Sequence, residues 1–184
     1  MKQLKFYGLG GQGVVTAAKA LSIAVSIHEG KYAITVPAYG HERRGAPVFS
    51  DVIIDDEPVK VNCFVYEPDV VIVMDSQIDS KNVDIAKGKH DDTLLILNAD
   101  KDESVERYAQ KHGFKDIYYT DATKIALESI GLGIPNASIL GALAKSGIVT
   151  IEAIEQALID FFGEKAGEKN ARAARNAFNE TVKA

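Results

Sequence analysis

The sequence predicts an α/β protein with a mostly parallel sheet, helices on both of its faces, an added antiparallel hairpin and a helical C-terminal extension. Three observations carry this expectation. A glycine turn, GLGGQGVVT at residues 8–16, joins the apolar strand LKFYGL to an apolar helix. Two later segments, DVVIVMD at 69–75 and TLLILN at 93–98, are uninterrupted apolar runs between polar turns, the pattern of strands covered on both faces. From Asp121 onward the strand patterns stop and glycine-punctuated helical segments follow one another.

The glycine turn matches GxGxxG at Gly8, Gly10 and Gly13 and makes the expected fold Rossmann-like. Glycines let the backbone turn sharply beside a ligand, and the next helix offers free N–H groups and the positive end of its dipole to an anion. A dinucleotide site would also need an Asp or Glu ending the second strand, about 20 residues on, to hold a ribose hydroxyl. That acid is missing. The second strand reads YAITVP, so Pro37 and Ala38 occupy its place, and Glu29 belongs to a helix end in HEG. In the first helix, residues 14–27, the polar residues Thr16, Lys19, Ser22 and Ser26 form one narrow stripe, so most of the surface must be covered, by the sheet and C-terminal helices or by another subunit.

After the second strand, APVFSDVII and VKVNCFV flank the turn DDEP and are expected to form the added hairpin. DESVERYAQKHG reads as a helix stopped by Gly113, and DIYYT as a further strand. ATKIALESIG, NASILGALAKSG, TIEAIEQALIDFFG and GEKNARAARNAFNETVKA read as successive helices, making the segment after Asp121 entirely α. With 184 residues, one domain is expected, residues 1–120 forming the α/β core and 121–184 packing helices on it.

Composition narrows the function. A net charge of −5 with no Lys/Arg run argues against a nucleic-acid surface. MKQLKF leads directly into a strand and no apolar stretch reaches about 20 residues, so the expected location is cytoplasmic, away from membranes. The single cysteine, Cys63, excludes a disulfide framework and a cysteine-held iron–sulfur cluster. His28, His41, His90 and His112 are scattered without metal-ligand spacing.

No nucleophile with its base, and no placed carboxylate pair, assembles from the pattern. Cys63, in an expected strand, reads as a small buried residue; Asp75, ending a buried strand, reads either as a ligand group or as a turn cap. The loop PAYGHERRGAPV, residues 37–48, sets Tyr39, His41, Glu42, Arg43 and Arg44 between Gly40 and Gly45 at the ligand-facing edge. Two guanidinium forks suit a phosphate or carboxylate. One arginine pairing with Glu42 while the other is solvated is the alternative; the flanking glycines and aromatic favour ligand binding or subunit docking.

In this order, GLGGQGVVTAAKAL, PAYGHERRGAPV, PDVVIVMD and NASILGALAKSG resemble the gamma subunits of the 2-oxoacid:ferredoxin oxidoreductases, most closely the pyruvate form. The resemblance implies a multi-subunit enzyme that converts 2-oxoacid, coenzyme A and oxidised ferredoxin to acyl-CoA, carbon dioxide and reduced ferredoxin. It places thiamine diphosphate, magnesium and iron–sulfur clusters in alpha, beta and delta-type partner subunits and leaves this chain without a redox centre of its own. It gives this chain docking and coenzyme A handling, with Gly10, Gly11, Gln12, Gly13, Arg43 and Arg44 as expected anion contacts and Tyr39, His41, Glu42 and Gly45 as expected interface residues. The equivalent subunit for 2-oxoglutarate, 2-oxoisovalerate or indolepyruvate is an alternative, as is a stand-alone nucleotide-binding protein.

Overall fold

In the computed structural model, which describes residues 1–38, 44–100 and 102–184, seven strands form one sheet in the order β2-β3-β1-β4-β5-β6-β7. Its centre follows the sequence. β1 (Lys2–Leu9), β4 (Val70–Val73), β5 (Leu94–Asn98) and β6 (Asp116–Thr120) pair in parallel, Phe6 opposite Ile72 and Ile72 opposite Ile96. Their uninterrupted apolar runs are explained by two covers. Helices α1 (Val14–Ile23) and α4 (Asn136–Lys145), with α5 (Ile151–Phe162) packed against them, share one core with Leu4, Phe6, Ile72 and Ile96 on one face. On the other, α2 (Asp102–His112) and a 3-10 turn at Ile78–Lys81 meet Val71, Val73, Leu95 and Leu97.

The expected hairpin has different partners. β3 (Pro47–Asp55) pairs antiparallel with β2 (Tyr32–Pro37) on one edge and with β1 on the other, while VKVNCFV forms no strand. Because β3 has both edges occupied, the chain after DDEP finds no vacant edge there. Cys63 is accordingly exposed, not buried. The same insertion separates β2 from β1, which would be neighbours in a dinucleotide-binding sheet.

Helix α1 continues into a π-helical turn at Ala24–His28, and its apolar side is buried from Val14 through Val25. In the polar stripe, Ser22 Oγ lies 2.5 Å from Thr35 Oγ1 on β2 and Lys19 is exposed. The glycine stops fall where expected. Gly113, Gly131 and Gly147 follow α2, α3 (Ala122–Ile130) and α4 with positive φ. Helix α4 is buried from Ala137 through Ala144, wrapped by α5 and α6 (Glu164–Glu180). The segment after Asp121 is not entirely helical: β7 (Val182–Lys183) pairs antiparallel with β6 and closes that edge, with Lys183 Nζ 3.0 Å from Asp116. Two residues are too few to show a strand period. Among the described residues no helix is long and apolar enough to cross a membrane.

Candidate functional site: the glycine turn and arginine loop

The two unusual sequence stretches meet. Gly10 N–H donates to the Ala46 carbonyl at 2.8 Å and Gly45 N–H to the Gly10 carbonyl at 3.1 Å, extending the β1–β3 ladder past Leu9 and Pro47. Residues 45 and 46 at the end of the arginine loop therefore lie against the glycine turn. Arg44 and Gly45 are exposed, and a Cβ placed on Gly11 would lie 3.8 Å from Arg44 Cγ. Tyr39, Gly40, His41, Glu42 and Arg43 lie outside the described residues.

Within the turn each residue has a separate task. A Cβ on Gly8 would sit 2.6 Å from Val14 Cγ2, so the first glycine of the fingerprint lets β1 and α1 approach each other. Gly10 lacks a positive φ; its place in the ladder accounts for it. Gly11, at φ 101°, is exposed. Gln12 staples the turn: its N–H bonds the Leu9 carbonyl, its Oε1 accepts from Leu9 N–H at 2.7 Å, and its Nε2 donates to Asp75 Oδ2 at 2.9 Å. Asp75 also accepts from Gln77 N–H at 2.9 Å, the turn-cap contact that one of its two readings describes. Gly13, the N-cap of α1 at φ 76°, has Asn136 against it, with Nδ2 only 2.8 Å from where a Cβ would lie.

These contacts decide where an anion can go. Gly10 and Gln12 N–H groups are spent internally, and Asn136 covers the α1 N-terminus at Gly13. On the β4–β6 side of the turn a cleft of about 350 Å³ is lined by Asp75, Asp100 and Asp121, with Gln12 and Asn98 between them. Asn98 is engaged by the Met74 carbonyl and by Thr123, and Asp121 caps α3 through Lys124 N–H. Three carboxylates repel a diphosphate. On the opposite, hairpin side Arg44 stands beside Gly11. Sequence reasoning missed the Gln12 staple and the Asn136 cover, since neither follows from spacing. Among the described residues no group of three or more His, Cys, Asp or Glu side chains is placed to hold a metal ion.

Fold and site together define a Rossmann-like subunit whose glycine turn is closed by its own hairpin instead of lying open across the strand edge. The chain belongs to the pyruvate ferredoxin/flavodoxin oxidoreductase family, whose pattern matches residues 3–180. It is similar to the pyruvate/ketoisovalerate oxidoreductases common subunit gamma of Pyrococcus abyssi, 46% identical with 98% of this chain and 97% of that protein covered. It is 42% identical to the pyruvate synthase subunit PorC of Methanocaldococcus jannaschii, over 100% of this chain and 98% of that one. Among solved structures, the pyruvate oxidoreductase subunit PORC of Thermotoga maritima superposes with a TM-score of 0.85 at 37% identity, covering 100% of this chain and 98% of that chain.

Proposed function

We propose that this chain is the gamma subunit of a pyruvate:ferredoxin oxidoreductase, a complex that converts pyruvate, coenzyme A and oxidised ferredoxin to acetyl-CoA, carbon dioxide and reduced ferredoxin. Its own task is subunit docking and coenzyme A handling. Thiamine diphosphate, magnesium and iron–sulfur clusters belong to the alpha, beta and delta-type partners, and those groups supply the carbanion and electron-transfer chemistry. The observation that carries this reading is the Gly10–Gly45–Ala46 ladder, which sets Arg44 over Gly11 on a chain with end-to-end similarity to gamma subunits. A phosphate of coenzyme A approaches from the hairpin side, where Arg44 offers a planar donor fork; Arg43 is proposed as its companion from its place in the sequence, and Tyr39, His41, Glu42 and Gly45 as the docking residues beside it.

A 2-oxoisovalerate complex is the second reading, because the Pyrococcus abyssi relative bears a name that joins both oxoacids. A stand-alone dinucleotide enzyme is disfavoured by the inserted β3, the acidic cleft and the Asn136 cover. Reconstitution tests the assignment. Reduction of a viologen dye by pyruvate and coenzyme A is expected from the assembled complex and absent both from this chain alone and from the other subunits without it. Turnover by this chain by itself, or full turnover by its partners without it, would sink the proposal.

A further inference from the structure

The run VKVNCFV has the β-branched and aromatic composition of a strand. Yet residues 59–64 make no backbone hydrogen bond to any described residue, and residues 60–64 are exposed, Phe64 by 40%. The segment is held at its end. Val65 N–H donates to Asp51 Oδ2 at 2.7 Å, and Lys5 Nζ donates to the Val65 carbonyl at 2.9 Å. Between the end of this segment and the sheet face opposite α1 lies a groove of about 450 Å³, lined by Tyr7, Phe49, Phe64, Tyr66 and Val83.

The groove offers little net charge. On its floor Lys5 is neutralised by the fully buried Asp51, both carboxylate oxygens lying 3.1 Å from Nζ. Lys87 at the rim and Asp84, which is close enough to act on Tyr7, carry opposite formal charges. Tyr7 is 5% exposed and its hydroxyl has no hydrogen-bond partner among the described residues. Burial first, then the Asp51 and Asp84 carboxylates, raise its pKa, so it stays a protonated donor. A donor O–H at the wall of the groove suits a carbonyl of an entering segment. A diphosphate finds no uncompensated cation on this floor, whereas an extended peptide brings carbonyls, an uncharged side chain and a backbone edge together.

We propose that residues 59–64 and this groove dock an extended, uncharged, apolar segment of a partner subunit, which pairs with 59–64 as a strand and inserts a side chain beside Tyr7 and Phe49. The proposal rests on the reading of this chain as a subunit of a complex. Hydrogen exchange on the parent chain, alone and in the reconstituted complex, tests it directly. The amides of residues 59–64 are expected to exchange at least tenfold more slowly in the complex. V61E/F64E, which alters exposed side chains, is expected to stay folded and to assemble at least tenfold more weakly, and Y7F to weaken assembly several-fold. Unchanged exchange at 59–64 in a properly assembled complex overturns the docking proposal and leaves the gamma-subunit reading standing, as does assembly of V61E/F64E within twofold of the parent. Failure of the parent to assemble sinks both. Protection of 59–64 in the isolated chain that rises with its own concentration, and is lost in V61E/F64E, overturns it in favour of a second copy.

Discussion

Gly13→Ala tests how the α1 N-terminus is closed, and the structure sets the size of the effect. Two costs combine. At φ 76° an alanine lies in the left-handed region, about 1–2 kcal/mol above its ordinary conformations. Its Cβ would also stand 2.8 Å from Asn136 Nδ2 and 2.9 Å from Asn136 Cβ, and relieving such overpacking costs about 1–3 kcal/mol. The sum, about 2–5 kcal/mol, corresponds to a melting temperature lower by roughly 4–20 °C for a chain of this size. Asn136→Ala removes the obstacle and a local bond, since Asn136 Oδ1 accepts from Ala137 N–H at 2.8 Å; by itself it costs about 1 kcal/mol. In the double variant the overpacking share vanishes and the left-handed share remains, so a double-mutant cycle read by thermal and urea unfolding should show about 1–3 kcal/mol of coupling. Simple additivity within 0.5 kcal/mol would refute the cover, and a Gly13→Ala variant as stable as the parent would refute the turn geometry itself.

Two other outcomes follow from the same structure. Arg43→Ala/Arg44→Ala should leave the melting temperature nearly unchanged, since Arg44 is exposed, while raising the coenzyme A KM of the assembled complex about tenfold, the loss of one charge-assisted contact of about 1.4 kcal/mol; an unchanged KM removes the loop from coenzyme A handling. Asp79, almost wholly buried, lies 3.0 Å from Lys111 Nζ and 3.1 Å from His112 Nε2, with Arg107 beside it. Burial pushes its carboxyl up, but His112, Lys111 and Arg107 together outweigh burial and hold it below the ordinary value. A depressed folded pKa gives stability that is present above the unfolded value, about 4, and lost as pH falls through the folded value. Asp79→Asn should therefore cost about 1–3 kcal/mol at neutral pH and progressively less below about pH 4; urea unfolding that shows a pH-independent difference contradicts the ion-pair account.

How far the sequence could be read depended on how local the signal was. Central strands β4, β5 and β6 and the helices after Asp121 were legible because burial on both faces, or glycine at a helix end, leaves a pattern within a few residues. Strand identity in APVFSDVII was legible too. Its neighbours were not. Pairing depends on which edge is vacant, and the run VKVNCFV has strand composition with nowhere in this chain to pair. β7 is two residues long and pairs with β6 where the chain leaves α6, which is packed on α3, α4 and α5. At the site, the arrival of Arg44 beside Gly11 was foreshadowed by the two motifs lying at one sheet edge, whereas Gln12 bonding Asp75 spans 63 residues and leaves no mark in either segment.

The inserted strand β3 links the fold to the ligand question. By standing between β1 and β2 it takes the position from which a second Rossmann strand would present an acid to a ribose, so the absence of that acid after YAITVP and the antiparallel insertion are one fact seen at two levels. Its first residues also carry the arginine loop back to Gly10, consuming an N–H that an open glycine turn would offer to a phosphate. The stretch that occupies the Gly10 N–H is also the one that brings the Arg44 side chain beside Gly11. For the coenzyme A contact proposed above, the acidic cleft on the far side sets the direction: carboxylates at Asp75, Asp100 and Asp121 disfavour an anion lying toward β4–β6, which leaves the hairpin side as the face proposed for the phosphate.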